Sequence, residues 1–232
     1  MAPSAPAIPA AAAGLGLSLS QTQHDLLDRY LALVEEWRPR LRLTGVARDE
    51  TAAVLVAGAL CVLRFLPESG HLVDLGSGAG VPGIPVAVVR PGLRVLLAEA
   101  TQKKAAFLGI AVRSLGLSSV AVAAARAEDL GRDLAHRARY DAVTARALAP
   151  VRVLVEYALP LLRVGGVAVL PKGRGAEGEV RAAARALDLL GGAAVVQAPP
   201  AGFCSPIVVV RKIASTPDDY PRRAGAPARR PL

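Results

Sequence analysis

The residues whose types and spacing could do chemistry are Asp74-Leu75-Gly76-Ser77-Gly78-Ala79-Gly80 and the more distant Glu99. Glycines at a strand end let the backbone turn sharply and come close to a ligand. Gly78, Gly80 and Gly83 satisfy G-x-G-x-x-G, so a nicotinamide cofactor has to be weighed. Two details favour S-adenosylmethionine. Asp74 precedes the first glycine by two positions, suited to a cationic amino-acid moiety directly or through water. Pro82 stands where the helix should begin, and no early basic residue serves a pyrophosphate. Glu99 ends the second strand, the place for a carboxylate gripping ribose hydroxyls, and this feature fits either cofactor. A structural turn beside an unrelated acid is the alternative.

Arg126-Ala127-Glu128-Asp129 follows the third strand, where an adenine ring would lie in such a fold. Ala127 leaves room for the base, and the Glu128 backbone or side chain can bond its edge. Taken alone, this run also reads as a solvated helix start with acids in the first turn. After the fourth strand comes Thr144-Ala145-Arg146-Ala147, in place of the Asn/Asp-Pro-Pro-aromatic motif that serves exocyclic amines. Neither Cys61 nor Cys204 sits in a loop suited to the nucleophile that pyrimidine C5 methylation needs. What remains is an acceptor needing little activation. Guanine N7 is one, since its lone pair carries no proton, and such an enzyme works by proximity and alignment without a general base. No catalytic residue is assigned on this reading. Arg146, at the carboxyl end of a central strand, could orient cofactor or base; Lys172, beside Gly173, could hold RNA phosphate or be a solvated lysine.

These residues need a scaffold. Runs at 72–75, 94–99, 119–123, 140–144, 167–170, 194–197 and 207–211 predict strands, with helices at 84–89, 103–115, 151–162 and 177–190. The alternation predicts an α/β, doubly wound, mostly parallel seven-stranded sheet, Rossmann-like, covered on both faces. No convincing helix separates the last two strands. They should form a hairpin with the final strand antiparallel, the feature that separates class I methyltransferases from dinucleotide dehydrogenases. Before the sheet, Ser20 caps an amphipathic helix (Leu26, Leu27, Tyr30, Leu31, Leu33, Val34, Trp37) that Pro39 ends, and a second helix is expected over 49–65. The organisation expected is a disordered extension at 1–17, a helical cap at 18–68, a cofactor-binding methyltransferase domain at 69–213 and a basic tail at 214–232.

Composition agrees with one core made of Ala, Val and Leu: 53% of residues are hydrophobic and only 3% aromatic. The net charge of +9 suits a polyanionic partner or, equally, solvated arginines. Cys61 and Cys204 form no disulfide framework or zinc spacing and are expected as free buried thiols. The three histidines are scattered, so no metal is assigned. The Ala/Pro-rich start lacks the basic residues of a secretory signal, and the longest apolar run, 52–63, is too short to span a bilayer. A monomeric cytoplasmic protein without a membrane partner is expected. The tail arginines Arg222, Arg223, Arg229 and Arg230, with Arg211 and Lys212 upstream, could order on RNA phosphate. Alternatively, Tyr220-Pro221 packs the tail across the sheet and the arginines only solubilise it.

Taken together, the motifs resemble the glucose-inhibited division protein B, or RsmG, family of 16S ribosomal RNA guanine-N7 methyltransferases. The resemblance runs from about Tyr30 to Leu232. Its marks are Trp37 through Leu43-Thr44, the glycine loop continued as Val81-Pro82-Gly83-Ile84-Pro85, Glu99, Lys103-Lys104, Phe107-Leu108, Arg126-Ala127-Glu128, Tyr140-Asp141 and Arg146-Ala147. Near the end come Gly165-Gly166, Lys172-Gly173 and Tyr220-Pro221-Arg222-Arg223, with Gly225, Pro227 and Pro231-Leu232. It implies cofactor contacts at Gly76, Val81, Ala127, Glu128 and Arg146. It implies as substrate a guanine near the decoding site of 16S rRNA or the small ribosomal subunit, numbered 527 there. The chain departs from the family at Leu55 and Gly58, where a His and an Asp are usual, which bears on base recognition and not on the cofactor. A small-molecule methyltransferase, an RNA-binding protein holding the cofactor structurally, and a nicotinamide oxidoreductase are the competing readings.

Overall fold

The computed structural model describes residues 8–47, 52–199, 201 and 204–232. Seven strands form one sheet: β1 (Gly70–Leu75), β2 (Leu93–Ala98), β3 (Val120–Ala123), β4 (Tyr140–Ala145), β5 (Leu162–Pro171), β6 (Gly192–Gln197) and β7 (Ile207–Lys212). Their order is β3-β2-β1-β4-β5-β7-β6. The first five run parallel, and β7 is antiparallel to both β5 and β6. This is the class I methyltransferase sheet with its terminal hairpin. The strand order reverses between β1 and β4, so the carboxyl ends of those strands open a crevice for ligands.

The sheet is buried on both faces because its strand residues alternate between two apolar layers. Leu72, Val95, Leu97, Ala142 and Val169 face one layer; Val73, Ala98, Val143, Ala168 and Leu170 face the other. Helices α4 (Gly83–Val89) and α5 (Gln102–Leu115) cover the first layer. The second is covered by α7 (Val151–Ala158) and α9 (Ala184–Leu190), with α6 (Ala127–Arg132) and α8 (Ala176–Ala182) alongside. The helix expected over 177–190 is two, broken at Ala183.

The cap begins with α2 (Gln21–Trp37). Ser20 and Gln23 cap it reciprocally: Gln23 N–H donates to Ser20 Oγ (3.2 Å) and Ser20 N–H to Gln23 Oε1 (2.9 Å). Leu27, Tyr30 and Val34 recur on one face and are fully buried. The Trp37 ring meets Phe107 of α5, with centroids 5.8 Å apart. The second cap helix is irregular: a π-helical turn (Ala52–Ala57), one α turn, α3 (Gly58–Leu60), and a 3-10 turn (Leu63–Phe65). The start of that expected helix, 49–51, lies outside the described residues.

Three expectations are corrected. The Ala/Pro composition of residues 1–17 predicts disorder. Residues 8–17 instead contain helix α1 (Ile8–Gly14), which buries Ile8, Ala11 and Ala12. Alanine is the strongest helix former, and here it also supplies an apolar face. Cys61 and Cys204 are not free: they are joined in a disulfide whose Cα atoms lie 6.0 Å apart. A separation of 143 residues hid this pairing, because it depends on the cap meeting the β6–β7 connection. The basic tail, finally, is not loose. It packs on the sheet's second layer through Tyr220 and Leu232, buries Pro227 and forms α10 (Ala226–Arg229).

Candidate functional site

The glycine loop is fastened from below. Asp74, fully buried at the end of β1, spends both carboxylate oxygens on the protein: Oδ1 accepts from Thr144 Oγ1 (2.8 Å) and Oδ2 from the Gly83 N–H (3.2 Å). Burial pushes its pKa up to about 6, against the hydrogen bonds and Arg146, which pull it down. Gly76 and Ser77 donate their backbone N–H groups to Ala98 O of β2 (2.8 and 3.1 Å). Gly76 and Gly78 take the left-handed conformation, at φ 66° and 56°, which glycine adopts without penalty. From above, the cap's Tyr30 hydroxyl donates to Ala79 O (3.1 Å).

Two pockets flank this loop. The first, 280 Å³, is lined by Leu75, Gly76, Gly78, Ala98, Glu99, Ala100, Lys104, Ala125, Arg126, Ala127, Glu128, Ala147, Leu148 and Tyr157. Glu99 is held at its edge, Oε2 accepting from the Gly78 N–H (3.0 Å) and Oε1 from the Thr101 N–H (2.8 Å). The second, 360 Å³, lies under the cap, lined by Leu43, Thr44, Gly45, Val46, Leu55, Ser77, Ala79, Val81 and Arg146. Gly76, Gly78, Lys104 and Ala147 line both. Ala147 sits in the left-handed region at φ 52°, which strains an L residue.

Of the residues singled out in the sequence, Gly76, Gly78, Glu99, Ala127 and Glu128 come together round the first pocket; Val81 and Arg146 line the second. Arg146 donates from Nη1 to Val54 O (2.7 Å), tying the cap to the end of β4. Burial lowers its pKa, offset by Tyr30 and Asp74. Asp74 and Gly80 line neither pocket. Asp74 has no exposed surface from which to meet a ligand, so it shapes the loop. A side chain on Gly80 would run into Ile84, so this glycine lets α4 pack.

Lys172 is not free for phosphate. Its Nζ donates to Ala149 O (2.6 Å) and pairs with Glu179 (2.9 Å), while Glu179 also accepts from the Val151 N–H (2.8 Å). It clamps the segment after β4 that carries Arg146 and Ala147. Arg222 is likewise occupied: Nε and Nη2 fork onto Glu156, fully buried on α7, at 2.9 and 2.6 Å. Lys212 is buried, donates to Leu190 O and Thr216 Oγ1, and is pushed down to about 8 by burial. Arg223, Arg229 and Arg230 are exposed.

Sequence reasoning missed the second pocket's wall. Leu43-Thr44 and Lys104 carry the family resemblance without a role in the sequence; the structure sets them on the wall of this pocket. Tyr30 was read as core, which it is, but its hydroxyl also holds the loop.

The model of one protein family, rRNA small subunit methyltransferase G, matches residues 23–198. A Chloroflexus aggregans protein, ribosomal RNA small subunit methyltransferase G, is 44% identical over 94% of this chain and 93% of its own. Its namesake in Roseiflexus sp. is 43% identical over 94% and 95%. Among solved structures, a Corynebacterium glutamicum protein superposes with a TM-score of 0.54 at 19% identity, covering 81% of this chain and 91% of its own. A mutant of MtNAS in complex with S-adenosylmethionine gives 0.55 at 18%, covering 84% and 73%. These two speak to the fold alone.

Proposed function

The chain belongs to the rRNA small subunit methyltransferase G family, an S-adenosylmethionine-dependent rRNA methyltransferase family, and we propose that it methylates N7 of a guanine in 16S rRNA, guanine 527. The observation that carries the choice of atom is the second pocket. Among the described residues lining it there is no carboxylate, histidine, cysteine or tyrosine. An amino or hydroxyl acceptor must lose a proton, and besides the cations Lys104 and Arg146 the described lining has no titratable side chain to take it. Guanine N7 presents a lone pair with no proton, so positioning suffices.

The first pocket fits the cofactor. Glu99 lies at the edge where ribose hydroxyls would sit, Ala127 leaves a flat base unobstructed, and the open left-handed turn at Gly78 lets backbone approach closely. When bound, S-adenosylmethionine supplies an electrophilic methyl group. The chain's own part is to hold the two reactants across the loop. Gly76, Gly78, Lys104 and Ala147, common to both pockets, form the shared wall. A guanine shows O6 and N7 side by side on one edge. Arg146 has five N–H donors and gives one to Val54 O, leaving others for O6. Leu55, where the family has histidine, makes this pocket's far wall apolar. An rRNA substrate supports a cytoplasmic location; among the described residues no helix is long and apolar enough to cross a membrane. Mapping 7-methylguanine in 16S rRNA from cells with and without this gene tests the proposal: one such base should vanish on deletion, and an unchanged map would refute it.

A further inference from the structure

We propose that the carboxyl-terminal tail is a positioning strap for the cofactor pocket, acting through Glu128. This inference rests on the assignment of that pocket to S-adenosylmethionine.

Glu128 lines the pocket and is 4% exposed. Its Oε1 accepts from the Gly225 N–H at 2.7 Å, a contact spanning 97 residues. The tail reaches that position through successive anchors. Arg137 donates to the carbonyls of Thr216, Pro217 and Tyr220 at 2.6–3.1 Å. Arg132 donates to Pro221 O at 3.0 Å. Arg222 forks onto buried Glu156, and its own N–H bonds Glu156 Oε1 at 2.9 Å. Glu156 adjoins Tyr157, another lining residue of the same pocket. Gly131 completes the seat: a Cβ there would come within 2.8 Å of Pro221 Cγ, so α6 receives the tail only because residue 131 has no side chain.

Two pocket residues therefore have their positions set from behind by the tail. A buried carboxylate that loses a hydrogen-bond donor must find another or move. With the tail lifted, Glu128 turns toward the cleft or toward water, and the wall against the adenine end is no longer fixed. The strap acts on cofactor affinity, not on the acceptor pocket, whose lining residues the tail does not touch.

The test uses the full-length protein with Gly131→Ala, and a chain ended after Asp219 that also carries Glu156→Gln, so that Glu128 is the carboxylate whose partner is lost. Hydrogen exchange over 220–232 reports whether the tail has lifted in the first variant. Calorimetry measures S-adenosylmethionine affinity, and steady-state kinetics separate the KM for cofactor from the KM for rRNA. With the tail lifted or absent, cofactor affinity should fall about tenfold, with the cofactor KM rising in step and the rRNA KM and kcat staying within about twofold. Arg222→Lys, which keeps a charge on Glu156, should fall between wild type and these variants. Cofactor affinity unchanged in the shortened chain, or in Gly131→Ala once exchange shows the tail lifted, or a rise confined to the rRNA KM, overturns the strap. Wild-type protein that binds no S-adenosylmethionine would instead overturn the pocket assignment itself.

Discussion

The two pockets beside the glycine loop are made of different material. The cofactor pocket is walled by strand ends and small residues, with Glu99 and Glu128 each held by backbone N–H donors. The pocket under the cap is walled by Leu43, Val46, Leu55 and Val81, with Arg146 and Lys104 as its cations. One side carries two carboxylates and is fixed by the sheet; the other carries no carboxylate and is completed by a separate helical layer. The difference teaches that cofactor binding and acceptor choice are separable, joined only through the shared wall of Gly76, Gly78, Lys104 and Ala147.

Breaking that shared wall should have the largest effect. Gly78→Val puts a branched side chain into a left-handed turn facing both pockets. Calorimetry should show cofactor affinity down by on the order of a hundredfold; affinity within twofold of wild type would remove the loop from the site. Filling one pocket alone sharpens the contrast. Gly45 lines the cap pocket, and nothing lies within 4 Å of where its Cβ would be. Gly45→Phe should lower methyl transfer to rRNA about tenfold or more through lost positioning. S-adenosylmethionine affinity should hold; loss of both together would mean the pockets are not separable.

A smaller effect concerns Asp74, which supports both pockets from beneath. Its pKa is raised to about 6 in the folded chain from 3.8. Its contribution to stability is therefore fully present below the unfolded pKa and lost as pH rises through about 6, at most about 3 kcal/mol. Wild type should lose stability relative to Asp74→Asn as pH rises from about one unit below 3.8 to about one unit above 6. Parallel denaturation midpoints for the two proteins across this range would contradict the assignment. Smallest of all is the exposed part of the tail. Neutralising Arg223, Arg229 and Arg230 should weaken rRNA binding slightly, removing about 0.7–0.9 from the log–log salt slope for each arginine that meets phosphate. An unchanged slope would make them solubilising residues only.

The sheet was legible because its strands carry their own signal: apolar runs bounded by glycine, with a hairpin implied where no helix fits. The lining of the first pocket was legible for a related reason, since Gly76, Gly78, Glu99 and Ala127-Glu128 each follow a strand and converge by topology. The cap pocket was not, because Leu43–Val46 and Leu55 meet Arg146 only through the packing of two layers, which local pattern does not encode. The tail misled for the opposite reason. Its arginines signal charge, but Glu156, the partner that buries Arg222, lies 66 residues away inside an apolar helix. Lys172 misled in the same way, its role set by Glu179 and the Ala149 carbonyl.

The most direct test of the account is transfer of a labelled methyl group by purified protein from S-adenosylmethionine to small-subunit rRNA, followed by chain cleavage selective for 7-methylguanine. The account predicts label in the rRNA, cleavage at a single guanine, and neither with the Gly78→Val protein. Label on any other atom, or none in the rRNA while the cofactor is bound, would contradict it.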